Sequence, residues 1–262
     1  MSGARLSDLL EDRFGTAPNV PEDIENSDAL KRLAARASCR RFTDRQIDLK
    51  RLQTLCATAL CSPSKSDLQQ RDILIVTNQD LLNALKTLLA AQTWVADAPA
   101  MLVFLANNRR QRQVQDVHAQ PFPNDHLDAF FNASVDAGIA LATFMTAAEA
   151  IGMGCCPIST IRNHLPEVRD LLMLPDHVFP VAGMAVGYPA ERGGISARLP
   201  LGSTVHHDHF RDITREEITA YDTRRLNGAD APRWSEAKAR MYAAPQRTDF
   251  GTFIRNIGFN LD

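Results

Sequence analysis

The feature that most constrains this chain is the stretch from His126 to Ile151, HLDAFFNASVDAGIALATFMTAAEAI, which holds helical periodicity for about seven turns. Small and apolar residues fall on several of its sides, so the pattern predicts a helix buried nearly all round rather than an amphipathic one. Such a helix needs other layers to cover it. Two short apolar runs precede it, Ile73–Thr77 and Ala100–Ala106, and a third, Val178–Tyr188, follows; each reads as a buried strand. Strands interleaved with helices predict an α/β or α+β sandwich.

The rest of the chain fills in around that frame. Leu6, Leu9, Leu10 and Phe14 mark an amino-terminal helix, and residues 15–26 read as a loop from their Gly, Pro and acidic content. Asp28 and Asp80 read as N-caps, the second opening a helix to about Ala91, and a helix after Asp48 ends before Pro63. Pro166–Leu174 reads as a short helix, with Gly152 and Gly154 closing the long one before it. From Arg211 onward the pattern is helical and polar. This implies a main domain over 1–210 and a helical extension over 211–262 that wraps the core or a partner subunit.

Composition enters by exclusion. A net charge of −2 with interspersed signs excludes a non-specific nucleic-acid binder, which needs surplus Lys and Arg to displace counterions. Five cysteines without framework or CxxC spacing fit free thiols in a reducing compartment. The start, MSGARLSDLLEDRFG, lacks the apolar run of a secretory signal, and no stretch approaches the ~20 uninterrupted apolar residues of a membrane helix. A soluble, cytoplasmic protein is expected. The run His206-His207-Asp208-His209 reads as a solvated loop, because adjacent residues rarely converge on one ion.

Four clusters carry possible chemistry. Arg36-Ala-Ser38-Cys-Arg40-Arg-Phe42 offers guanidinium forks and a hydroxyl suited to a phosphate, or else a solvated helix end. The segment Pro63-Ser64-Lys65-Ser66-Asp67-Leu-Gln69 offers backbone N–H groups, hydroxyls and a cation, or an ordinary helix-ending turn. Gly152-Met-Gly154-Cys-Cys-Pro157-Ile158-Ser159-Thr160 allows close backbone approach beside an apolar lid and further donors. Arg198-Leu-Pro200 supplies one more guanidinium.

In this order, R-x-S-x-R-x-F, P-S-x-x-x-x-Q, G-x-G-x-x-P-I, G-Y-P and R-L-P span residues 36–200. Together they resemble the FMN-dependent nitroreductase and flavin reductase superfamily, and in particular its larger, NADPH-preferring branch. The resemblance implies an α+β, nitroreductase-like sandwich with a mixed central β-sheet flanked by helices, and a homodimer built on the long helix with FMN at the subunit interface. It implies Arg36, Ser38, Arg40 and Arg198 at the FMN phosphate and ribityl, and Pro63, Ser64, Lys65, Asp67 and Gln69 facing the ring, often from the partner. Gln92 and Pro157, Ile158, Ser159 and Thr160 would lie against the ring's reactive edge. No side chain is implied as acid or nucleophile. The resemblance implies that NAD(P)H delivers hydride to the flavin N5 and that nitroaromatics, quinones or free flavins take the electrons in a second, ping-pong half. The alternative within the same fold is a flavin-binding protein that stores or degrades flavin or removes halogen.

The chain departs from that pattern at four places. Asp67 stands where an asparagine is common, placing a carboxylate near the ring's polar edge. Ser196 replaces a lysine two residues before the R-L-P arginine, removing one phosphate counter-charge. Ser159 and Thr160 replace glycines. A basic run before the carboxy-terminal tryptophan is reduced to Arg233, so the choice between NADH and NADPH stays open.

Overall fold

The computed structural model describes residues 4–262, so the first three residues of the amino-terminal segment lie outside it. The chain divides into two compact units, one formed by residues 1–37 and 193–246, the other by 38–192 and 247–262. Residue 210 falls inside the first.

The first unit opens with α1 (Leu6–Phe14), α2 (Glu22–Glu25) and α3 (Asp28–Ala35). Helix α1 is held at its start by Asp8, which accepts the Arg5 backbone N–H and the Arg5 guanidinium. It stops at Gly15, whose φ of 85° is open to glycine at little cost. Helix α2 lies inside the segment expected to be all loop, and the cap of α3 is Ser27 rather than Asp28. Leu6, Leu9 and Ala34 form a small core with Leu30 and Ile195.

The second unit contains α4 (Leu49–Leu60), β1 (Arg71–Val76), α5 (Gln79–Leu88), β2 (Ala100–Asn107), α6 (Arg109–Val117), α7 (Leu127–Ala150), β3 (Gly154–Ile158), α8 (Leu165–Leu171) and β4 (Val178–Gly187). Helices α9 (Arg215–Leu226) and α10 (Trp234–Tyr242) belong to the first unit, and α11 (Phe250–Asn256) returns to the second. Asp48 caps α4 by accepting the Lys50 N–H, and Asn78, not Asp80, caps α5 by accepting the Leu81 N–H.

The class is α+β, but the sheet is antiparallel throughout rather than mixed, in the order β1-β2-β4-β3. Strand β3 begins at Gly154, one of the two glycines expected to close the long helix, and was not among the strands expected from sequence. Central β2 is buried along its whole length, whereas edge strand β1 is only half-buried in its middle. Side chains of β2 alternate as a pleated strand requires. Met101, Val103 and Leu105 meet α5 and α8 on one face, while Leu102 and Phe104 meet α4 and α7 on the other. The β2–β4 register slips between Phe104 and Leu105, opposite Pro180, which has no N–H to give a ladder.

Helix α7 corrects the expectation of burial all round. Ala133, Ala137, Ala140, Phe144 and Ala148 are buried, but Leu127, Phe131 and Val135 are 51%, 59% and 41% exposed. Those three are spaced by four residues and form an apolar stripe on the outer face. By length and mean composition α7 would suffice to cross a bilayer, but its apolar run is interrupted by Asp128, Asp136 and Glu149, and it packs on α4 and β2.

Candidate functional site

The segment Ser38–Thr43 lies along the sheet edge where β3 and β4 meet. The Cys39 N–H donates to the Cys155 carbonyl (2.9 Å), the Thr43 N–H to Tyr188 (2.9 Å) and the Ala190 N–H to Arg41 (2.9 Å). Two glycines make this approach possible. A Cβ on Gly154 would lie 2.5 Å from the Cys39 Sγ, and one on Gly187 would lie 2.6 Å from the Phe42 ring. Cys39 and Phe42 thus point inward, and Arg40 points out. The Arg40 guanidinium stands 5.8 Å from the Trp94 ring centroid, and the Trp94 indole donates to the Gln92 Oε1 (3.1 Å). Ile158 is packed in the same core cluster as Cys39, Phe42 and Val95. Just beyond it, the Thr160 hydroxyl is buried without a hydrogen-bond partner, while Ser159 is exposed and Pro157 half-buried.

The Pro63–Gln69 loop is built differently. Ser66, Asp67 and Gln69 all have positive φ (47°, 56° and 52°), a conformation that costs non-glycine residues roughly 1–2 kcal/mol each. The fully buried Asp136 of α7 holds the strained turn, accepting the Lys65 N–H (3.0 Å) with one oxygen and the Gln70 N–H (3.0 Å) with the other. Ser64 Oγ accepts the Gln69 N–H (3.2 Å), Gln111 donates to the Leu68 carbonyl (2.6 Å), and Arg110 donates to the Gln69 carbonyl. The Lys65 ammonium pairs with Asp128 at 2.9 Å, and that bond is the main reason the Asp128 carboxyl is held below its usual range. Asp67 accepts from the Gln69 amide (3.2 Å). Asp136 has no counterpart among the residues expected from sequence. Its only signal was a carboxylate amid an apolar helical run.

No hydrogen bond, ion pair or ring contact among the described residues joins this loop to Arg40, Gln92 or Pro157–Thr160. The topology says why. The loop enters β1 at one sheet edge, and Ser38–Arg40 runs beside β3 at the other. Arg71 is level with Ala106, and Cys155, through Val186, with Ala100. Three strand spacings, roughly 14 Å, therefore combine with six residues along the strands, roughly 20 Å, to separate the two patches.

In the first unit a third group of predicted residues comes together around one that sequence reasoning missed. Arg13, 7% exposed, donates to the carbonyls of Ala34 (3.0 and 2.8 Å), Arg36 (2.6 Å) and Ser196 (3.1 Å). Burial, then the charges of Arg198 and Arg36, pull its guanidinium below the usual range. The exposed Arg198 donates to the Ser196 Oγ (2.7 Å), and its own backbone N–H reaches the Arg13 carbonyl (2.7 Å). The visible clue was position: Arg13 continues the buried face of Leu6 and Leu9.

The residues fit a flavin phosphate and ring edge in kind: guanidinium forks, an amide, an apolar wall and an unsatisfied hydroxyl. All five cysteines are free, and burial pushes the Cys56 thiol up to about 11. Among the described residues no three of His, Cys, Asp and Glu converge as metal ligands would.

Comparison with known proteins gives a consistent result. The Nitroreductase family matches residues 33–188, and the Nitroreductase family C-terminal domain matches residues 196–262. The chain is 29% identical over 247 residues to an FMN reductase (NAD(P)H) of Bacillus subtilis strain 168, covering 90% of this chain and 99% of that protein. It is 31% identical over 199 residues to an oxygen-insensitive NADPH nitroreductase of Salmonella typhimurium, covering 75% of this chain and 80% of the other. Among solved structures, B. megaterium NfrA2 superposes with a TM-score of 0.84 at 29% identity, over 89% of this chain and 98% of that one.

Proposed function

The chain belongs to the nitroreductase family, and on that premise we propose that it is an FMN-dependent oxidoreductase, taking electrons from NAD(P)H and passing them to nitroaromatics, quinones or flavins by a ping-pong sequence. What supports the reading is the β3-edge patch, where Arg40 and Gln92 both meet Trp94, Trp94 packs on the apolar cluster that contains Ile158, and the Thr160 hydroxyl two residues on is buried without a partner among the described residues. A buried polar atom left unpaired costs about 1–3 kcal/mol, and the heteroatoms of a flavin edge would supply its missing partner. Ser38 and Arg40 are proposed phosphate and ribityl ligands, with Arg36 and Arg198 as further guanidinium donors. Bound flavin supplies the redox chemistry, while the protein supplies position and electrostatics.

The same reading asks for two copies of the chain. Pro63, Ser64, Lys65, Asp67 and Gln69 stand at the opposite sheet edge, too far for one ring system to touch both patches of one chain. The exposed Leu127–Phe131–Val135 stripe of α7 is the apolar surface on which a second copy would pack in this reading. A cytoplasmic location fits the reduced thiols. The test is a visible absorption spectrum of the purified protein, then titration with NADH and NADPH. A flavin band that bleaches with either nucleotide and recovers with an added quinone is expected. A protein that binds no added FMN would overturn the assignment, and one that binds FMN without bleaching would be a flavin binder rather than a reductase.

A further inference from the structure

Arg13 is unusual in what it does not meet. It is a long cation more than nine-tenths buried, and each of its hydrogen bonds ends on a backbone carbonyl. Among the described residues it makes no ion pair. A guanidinium held this way in low dielectric normally has a carboxylate beside it, because an uncompensated buried charge is expensive. Here its charged neighbours are the cations Arg36 and Arg198. A fourth arginine, Arg224, donates to the carbonyls of Arg13 (3.3 Å) and Arg198, which adds positive charge on the same side. Among the described residues the Arg198 side chain hydrogen-bonds only to Ser196 and Ala197, and it is exposed to an outside acceptor.

The carbonyl bonds explain the placement. Ala34 and Arg36 lie at the end of α3, and Ser196 lies far along the chain. By bridging those carbonyls Arg13 fixes two remote segments side by side, one bearing Arg36 and the other Arg198. Arg13 also sits on α1, ahead of residue 33, where the family match begins. Its guanidinium reaches the backbone of Ser196, two residues before Arg198.

We propose that Arg13 is the positioning residue of a phosphomonoester site, in which Arg36 and Arg198 would touch the phosphate of the flavin cofactor while Arg13 aligns them and contributes the buried charge. This rests on the flavin reading above. Binding of FMN and of riboflavin, which lacks the phosphate, is measured by flavin fluorescence quenching for wild type, Arg13→Met, Arg13→Lys and Arg198→Ala. Arg13→Met is expected to weaken FMN binding by about tenfold or more while riboflavin binding moves by less than about twofold. Arg13→Lys keeps the charge without the fork and should fall between the two, and it decides the matter if the Met variant does not fold. Combining Arg13→Met with Arg198→Ala should cost little beyond the larger single effect, since one acts through the other. An unchanged FMN-to-riboflavin ratio in a folded Arg13 variant overturns the proposal while leaving the enzyme assignment intact. So does a loss that falls instead on NADPH relative to NADH, which would assign the arginines to the nucleotide's phosphate. Wild type that binds neither flavin sinks the flavin reading itself.

Discussion

The two edges of the sheet hold the residues proposed for the site by opposite means. At the β3 edge, Ser38–Arg40 lies in an unstrained extended path, and the sheet makes room for it by omitting side chains at Gly154 and Gly187. At the β1 edge, the Pro63–Gln69 loop is held in left-handed conformations by side chains that reach in, with Asp136 as the anchor. One patch is shaped by what is absent, the other by what is added. The difference predicts how each fails: the first by steric expulsion, the second by loss of hydrogen bonds and release of strain.

The largest effect should come from the anchor. Asp136→Ala leaves the buried Gln70 N–H and the part-buried Lys65 N–H without an acceptor and should cost about 3 kcal/mol of unfolding free energy, read from urea denaturation. Its damage should stay at the β1 edge, leaving the fluorescence of Trp94 unchanged. A Trp94 shift in this variant would break the comparison by showing the edges are coupled. Next, Gly154→Ala places a Cβ against Cys39 and should cost roughly 1–3 kcal/mol, this time with a Trp94 shift as Arg40 is displaced. Smallest is the half-exposed Lys65–Asp128 pair. Lys65→Met should lower stability least of the three, since solvent screens an exposed pair. Because Asp128 titrates below its ordinary value in the folded chain, its contribution is present above that ordinary value and is lost as pH falls through the lowered one. The gap between wild type and Lys65→Met should therefore close on acidification from about pH 4 downward, measured by thermal melts; a gap that widened would contradict the pairing.

What could be read from sequence follows the same divide. Strand β2, strand β4 and helix α7 were legible because long apolar runs leave few alternatives. Strand β3 was not: five residues, Gly-Cys-Cys-Pro-Ile, offer no alternation and follow directly on a helix-closing glycine. The cap of α3 went to Ser27 rather than Asp28, a one-residue choice between two good caps. Arg40 and Gln92 were expected from the family resemblance, and the structure links them to each other through Trp94. Asp136 and Arg13 were missed for a common reason. Each is a charged residue on a buried helix face, and its partners are backbone groups remote in sequence. The burial of α7 was overestimated because an apolar pattern records that a face avoids water, not which molecule covers it.

The clearance at the β3 edge ties residues far apart in sequence into one shared volume. Positions 39 and 154 occupy a single space, as do 42, 99 and 187, so enlarging one member demands a smaller neighbour. Variants of this protein should therefore accept Gly154→Ala most readily alongside Cys39→Gly, and Gly187→Ala alongside a trimmed Phe42. A directed-evolution library that randomised these positions one at a time would find almost nothing, whereas randomising them as two linked sets would recover folded chains.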